Sequence, residues 1–330
     1  MSTGGGVHIG ARLAMVAVSG VLLVAVGAYL GLRGGGSEPH ATRTVTVSVR
    51  APGAGRLARV SSATPARVVP PLVVNAPVHA TRGWTTVAEV RGQPAAWIAQ
   101  RAGVTLLRFD QSLVHVTLHA GSSDGGTAGW IYGDSITPRE IHHVIAAFNG
   151  GFKLTYSEVG FASGGHVAAP LQGGLASIVT YTDGTTNVGA WGNGLPSAQK
   201  TVFSVLQNQH LLVDHGVPAG SVSSCILACW GATVGSATTV ARSALGITAS
   251  GQLVWAAGEQ LLPSELASAL VAAGAVRAIE LDINPDWVAG YLYVHHRGGP
   301  SGVPVVPGQL GIAGKLLEPY SRDFLAIVAN

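Results

Sequence analysis

Val144-Ile145-Ala146-Ala147-Phe148-Asn149-Gly150-Gly151-Phe152 is the stretch that decides the fold. Its apolar run reads as a buried strand, and it gives way at once to an amide and two glycines. Adjacent glycines remove side-chain bulk and permit positive φ, so a ligand can approach the backbone closely. The amides of Gly151 and Phe152 are candidate anion donors, with Asn149 beside them as a neutral donor and acceptor. The plainer reading is a glycine-rich turn joining two core strands.

Working outward, Thr137-Pro138-Arg139-Glu140 has the form of a capping box and predicts a short helix over residues 138–143. Strands are expected over residues 104–109 and 113–118, where the isolated His115 reads as a sheet histidine. Asp183-Gly184 and Ser250-Gly251 each sit between alternating apolar runs and predict hairpins. Leu262-Pro263-Ser264-Glu265 opens a second helix that stops at Gly274, followed by a strand over residues 276–283. This pattern predicts an α+β domain, a mixed and largely antiparallel sheet with a few helices.

Composition agrees with a loop-rich body: 46 glycines in 330 residues, and only 11% of residues charged. The formal charge of +3 comes without a dense basic run interleaved with aromatics, so nucleic acid is not an expected partner. Residues 13–32 carry no charge and lie between Arg12 and Arg33, near the ~20 residues a spanning helix needs. The run is long for a signal peptide and lacks a small-residue cleavage site. The expected organisation is therefore a cytoplasmic head (1–12), a single transmembrane anchor (13–32), a stalk rich in Pro and Arg (33–83) and an exported domain (84–330). That places the body outside the cytoplasm, on the plasma membrane. Cys225 and Cys229 are four apart and can close a small disulfide loop; with His210 and His215 upstream, zinc is the alternative.

Chemistry concentrates at Glu280-Leu281-Asp282-Ile283-Asn284. Glu280 and Asp282, two apart on a strand, face the same way and suit acid/base work at a glycosidic bond. A structural acid pair is the alternative. Asp286 and Asn284 add oxygen donors, so a divalent metal such as calcium is a further option without an EF-hand pattern. Arg242 can fork onto a phosphodiester, and Trp287 can stack on a sugar ring.

These pieces in order resemble the phosphodiester glycosidase family, the group that includes the lysosomal uncovering enzyme. The resemblance spans roughly residues 84–330. It runs from Asn149-Gly150-Gly151-Phe152 through Gly165, the Asp183-Gly184 hairpin, Arg242 with Ser250-Gly251, and Leu281-Asp282, to Ser321-Arg322-Asp323-Phe324-Leu325-Ala326-Ile327-Val328. The family commonly follows Leu-Asp with glycines and serine; here Ile283-Asn284-Pro285-Asp286-Trp287 stands instead, a bulkier variant.

The resemblance implies a membrane-anchored hydrolase that cleaves a sugar-1-phosphodiester in an envelope or extracellular glycoconjugate. Asp282 and Glu280 would be its catalytic carboxylates. Asn149, Gly150, Gly151, Arg242, Asn284, Trp287 and Arg322 would bind substrate. The rival reading is a catalytically degenerate protein that holds envelope glycopolymer without cutting it. A third is a structural envelope protein whose partner docks on the stalk.

Overall fold

In the computed structural model the Val144–Asn149 strand lies at the heart of a five-stranded sheet. The order there is Gly299–Pro304, Gly290–His296, Val144–Asn149, Phe324–Ala329, Val114–His119. The structure describes residues 83–330 except 127, 128 and 156, together with the short strands Val49–Arg50, Leu57–Ala58, Val73–Val74 and Ala80–Thr81. Every residue of Val144–Asn149 and of Phe324–Ala329 is buried, which explains why both read as unbroken apolar runs rather than as alternations.

Two further sheets complete the body. A ten-stranded sheet carries Ala275–Glu280, Val240–Thr248, Leu253–Leu261, Val104–Phe109, Gln93–Arg101 and Trp84–Val90 side by side. A six-stranded sheet centres on Val202–Gln207 and the hairpin Ala176–Tyr181/Thr186–Trp191. The hairpin turns at Asp183-Gly184, where Gly184 takes φ +85°, as a tight turn demands. Val104–Phe109 and Val114–His119, neighbours in sequence, part company: the first pairs within the ten-stranded sheet, the second with Phe324–Ala329.

One apolar core takes residues from all three sheets, among them Phe109, Phe148, Phe161, Ile178, Leu206, Leu245, Trp255 and Ile327. Phe148 stacks on Trp255 at 5.3 Å and on Phe109 at 6.4 Å, which locks the five-stranded sheet onto the ten-stranded one. Each such buried ring is worth about 1.5–3 kcal/mol of transfer free energy. The helix Pro263–Ala272 covers the other face of the ten-stranded sheet through Leu266, Ala267 and Leu270.

The expected α+β class is corrected by this architecture. The described residues are mostly antiparallel strand, and their α-helices are Ser221–Ser224, Ile226–Cys229 and Pro263–Ala272. Thr186–Trp191 and Gly194–Leu195 form the parallel exception. No helix runs over residues 138–143, which form successive turns instead. The capping contacts do exist, since Glu140 Oε2 accepts from Thr137 N (2.8 Å) and Thr137 Oγ1 (2.6 Å). Glu140 Oε1, however, reaches inward to Thr117 (2.6 Å) and His119 (3.2 Å), and the strand begins at Val144 before a helix can propagate.

Among the described residues no helix is long and apolar enough to cross a membrane. The expected head and span, residues 1–12 and 13–32, lie outside them. Within the segment expected as a stalk, Val73–Val74 and Ala80–Thr81 pair with Trp84–Val90 and so extend the sheet of the body.

Candidate active site

Three strand ends converge on one polar cluster. Asn149-Gly150-Gly151 leaves the Val144–Asn149 strand, Arg322-Asp323 leads into Phe324–Ala329, and Leu281-Asp282 follows Ala275–Glu280. Phe324 pairs with Asn149 across the five-stranded sheet, so Asp323 is set directly against the two glycines. Gly150 N donates to Asp323 O (3.0 Å), and Gly151 N donates to Asp323 Oδ2 (2.9 Å). A Cβ at Gly150 would overlap the Asp323 carboxylate, so glycine is required there for close approach rather than for φ. The Gly151 amide, expected to face an anion, is thus occupied by Asp323.

Arg322 is the hub. Its Nε donates to Asp124, its Nη2 donates to Gly151 O (2.8 Å), and the same nitrogen lies 3.4 Å from Asp282 Oδ2. Its guanidinium stacks over the ring of Trp287 at 4.1 Å. Three carboxylates therefore surround one buried guanidinium. Arg322 Nη1, Asp323 Oδ1 and Asp124 Oδ1 are buried with no hydrogen-bond partner among the described residues. Unpartnered buried polar atoms are costly and rare, and at a site they mark where a ligand's groups would bond.

The electrostatics follow from burial and from this ratio of charges. Burial pushes the Asp282 carboxyl up to about 6, against the pull of Arg322 and the amides of Ile283 and Asn284. Burial pushes Asp323 up to about 7, again with Arg322 opposing. Burial also works against the charge on Arg322, but Asp282, Asp323 and Asp124 outweigh it and raise its pKa. Groups poised in this range can exchange protons near neutrality.

Asp282 itself is held firmly. Its Oδ1 accepts from Ile283 N (2.7 Å) and Asn284 N (2.9 Å), while its backbone N meets Ser243 Oγ at 3.3 Å. The side-chain oxygen of Asn284 accepts from Asp286 N (2.9 Å), which shapes the Asn284-Pro285-Asp286 turn. Ile283 abuts Gly231, where a side chain would collide with it. Asn149 acts as a tie between sheets: its Nδ2 donates to Ser243 Oγ and to Gly150 O (both 2.9 Å), and its Oδ1 accepts from Ala289 N (3.3 Å).

Arg242 and Glu280 form a different unit. Arg242 is fully buried and donates to Leu261 O (2.9 Å), Trp230 O (3.1 Å), Thr238 O (3.2 Å) and Glu280 Oε1 (2.7 Å). A guanidinium so engaged has little left for a phosphodiester. Burial pushes Glu280 up to about 7 against Arg242, and the charge of Asp282 adds to the rise. Glu280 thus communicates with the cluster through charge rather than contact.

Of the residues singled out from sequence, Asp282, Gly150, Gly151, Arg322, Trp287, Asn149 and Asn284 come together, and Arg242 and Glu280 pair beside them. Asp124 and Asp323 join the cluster without a role that the sequence predicts. Asp323 sits in the quoted Ser321-Arg322-Asp323 run, and adjacent opposite charges just before a wholly apolar strand were the available signal. Asp124, in the loop Ser122-Ser123-Asp124-Gly125, carried none. Among the described residues, no group of His, Cys, Asp and Glu is arranged to hold a metal ion. Cys225 and Cys229 are bonded to each other with Cα atoms 5.4 Å apart, which removes both thiolates from a zinc site.

No family model matches the chain, and no curated protein matches it by sequence. Among solved structures, it is similar to the catalytic domain of zebrafish N-acetylglucosamine-1-phosphodiester alpha-N-acetylglucosaminidase, auto-inhibited by its pro-peptide. That likeness has TM-score 0.44 and 15% identity over 71% of this chain and 78% of the other. A hypothetical protein from Synechocystis is similar with TM-score 0.39 and 12% identity, over 73% of this chain and 63% of that one.

Proposed function

We propose that this protein is a hydrolase that cleaves the bond between a sugar's anomeric carbon and a phosphodiester oxygen. The observation that carries the reading is the Arg322 cluster: a buried guanidinium with a free Nη1, flanked by Asp282 and Asp323, both raised toward neutrality. The ordered motifs from Asn149 to Val328 that resemble phosphodiester glycosidases support it as well.

The chemistry suits such a set. A phosphomonoester is a weak base, with a pKa of about 6 for its second proton. As a leaving group it needs charge neutralisation more than full protonation, and Arg322 supplies that. Asp282 takes the proton of the attacking water, whose oxygen bonds to the anomeric carbon as the carbon–oxygen bond to phosphate breaks. The electron pair leaves with the phosphate, giving a free sugar and a phosphomonoester. Asp323 shares the proton inventory of the site with Asp282, and Trp287 offers a face to the sugar ring. Arg242 and Glu280 are the neighbouring support.

The uncharged run over residues 13–32 and the Cys225–Cys229 bond favour a body held outside the cytoplasm, where an envelope glycoconjugate would be its substrate. The full chain in detergent, given an N-acetylglucosamine-1-phosphodiester, tests the reading. Release of free sugar by the wild type, lost in Asp282→Asn and Arg322→Lys with folding intact, supports it. Turnover that survives both substitutions sinks it. A glycan-binding protein without turnover is the second reading; the bulky Ile283-Asn284-Pro285 segment after Asp282 favours it.

A further inference from the structure

Asp282 is held by the segment that follows it, and that segment leans on a loop from another part of the chain. Ile283 N donates to Asp282 Oδ1 (2.7 Å), so the place of Ile283 fixes where the carboxylate points. Ile283 in turn packs on Gly231: a Cβ there would lie 2.5 Å from Ile283 Cδ1 and 3.2 Å from Phe152 Cζ. We propose that Gly231, carried on the loop closed by the Cys225–Cys229 disulfide, is a positioning residue for Asp282. It is the hole that seats Ile283, and the disulfide keeps that hole in place. The inference deepens the hydrolase reading, since it takes Asp282 as the reacting carboxylate, but the placement of that carboxylate is measurable without turnover.

The loop is built to hold still. Ser221–Ser224 and Ile226–Cys229 are single helical turns, too short to persist on their own in water. The Cys225–Cys229 bond closes them covalently, and Cys229 N donates to Cys225 O (3.1 Å). Trp230 comes next, fully buried in the same core as Leu266 and Leu270, and its carbonyl accepts from Arg242 (3.1 Å). Gly231 follows with φ +95°, which side-chain-bearing residues rarely adopt. Two demands, the positive φ and the empty space, thus fall on one residue.

The partner is stiff as well. Ile283 is β-branched and restricted at χ1, so a push on its side chain passes to its own backbone rather than being absorbed by rotation. That backbone carries the amide bonded to Asp282 Oδ1. Bulk at Ile283 and its absence at Gly231 are complementary, and the chain from disulfide to carboxylate has no loose link. Geometry at a reacting group is worth this bracing, because a displacement of about 1 Å can cost about a hundredfold in rate.

The test uses the full chain, with carboxyl-carbon NMR of labelled aspartate for placement and hydrolysis of an N-acetylglucosamine-1-phosphodiester for chemistry. The Asp282 resonance is assigned through Asp282→Asn. Gly231→Ala, Ile283→Val and the two together form a cycle: Ile283→Val removes the Cδ1 that the new methyl would strike, while the strain of positive φ is common to both backgrounds. Gly231→Ala is expected to lower kcat about ten- to hundredfold with KM within about twofold. It is also expected to raise the titration midpoint of Asp282, since the amide of Ile283 helps to hold that carboxyl down. Both effects are expected to shrink to within about threefold of wild-type behaviour when Ile283→Val is added. Where Gly231→Ala fails to fold, dithiothreitol on the wild type gives the second reading. Cys225 and Cys229 are the only cysteines, so two new thiols report the opened loop, and the Asp282 resonance is expected to shift with them. An equal effect of Gly231→Ala in both backgrounds, or an Asp282 signal unmoved by substitution or reduction, overturns the inference and leaves the hydrolase standing. A raised midpoint rescued by Ile283→Val, in a chain without turnover, upholds the positioning of Asp282 and removes the hydrolase.

Discussion

Two buried arginine–carboxylate assemblies lie side by side in this protein, and they are built on opposite principles. At Arg242 one guanidinium faces one carboxylate and is otherwise surrounded by backbone carbonyls of Trp230, Thr238 and Leu261. At Arg322 one guanidinium faces Asp124, Asp282 and Asp323, and donors and acceptors are left over on both sides. The Arg242 guanidinium is bonded on all its nitrogens and ties chain segments together, although Glu280 Oε2 beside it has no partner among the described residues. The under-saturated assembly at Arg322 holds protons and charge in suspense, as chemistry requires.

The largest effect expected from that contrast is catalytic. Asp282→Asn should lower kcat on a sugar-1-phosphodiester by about 10³–10⁴-fold, with a melting curve close to wild type. Next comes Arg242→Met, which strands Glu280 and three carbonyls; it should cost about 3–5 kcal/mol, read as a lower denaturant midpoint. Gly150→Ala, whose methyl would displace the Asp323 carboxylate, should cost about 2 kcal/mol and reduce activity along with stability.

The raised carboxyls also make stability depend on pH. Asp282, Asp323 and Glu280 have folded pKa values raised to about 6, 7 and 7, so the native state keeps protons that the unfolded chain has released. Their contribution falls as pH rises from about 4 to about 7. Glu140 runs the other way: burial opposes its charge, but His119, Thr117 and Thr137 hold it near 2, and its contribution is lost as pH falls from its ordinary value toward 2. The melting temperature should therefore peak near pH ~4 and fall steadily as pH rises toward ~7. Asp323→Asn should flatten that upper limb; an unchanged limb would remove Asp323 from the account.

The smallest effect sharpens the comparison most. Glu280→Gln keeps an acceptor for Arg242 and imitates a carboxyl that is already half-protonated near neutrality. It should change stability by less than about 1 kcal/mol and activity by no more than about threefold. A loss comparable to that of Asp282→Asn would show that the two assemblies act as one.

The sequence made the strands readable wherever burial imposed a plain pattern. Val144–Asn149 is legible as an apolar run, Phe324–Ala329 through its place in the family resemblance, and the Asp183-Gly184 and Ser250-Gly251 hairpins through the apolar runs on either side of each turn. Which sheet each strand would join was not visible, because pairing depends on partners far along the chain: Val114–His119 finds Phe324–Ala329 rather than its neighbour. The turns over residues 138–143 look helical in the sequence because Glu140 has two roles and only the local one shows there. Around the site, the order of motifs brought Asp282, Arg322 and the glycines into view together. The two arginines could not be told apart, since saturation of a guanidinium is decided by carbonyls that carry no signature.

The Phe324–Ala329 strand sits between Val144–Asn149 and Val114–His119, and Arg322 and Asp323 immediately precede it. The strand that joins Val144–Asn149 to Val114–His119 is thus synthesised long after both. Until it is delivered, the Val144–Asn149 strand has one open edge and the Gly150-Gly151 turn has no Asp323 to close on. A growing chain therefore carries most of its core, with Asp124, Asp282 and the two glycines, before it has the Arg322 that joins them. Completion of the sheet and assembly of the cluster are a single late event in the life of the molecule.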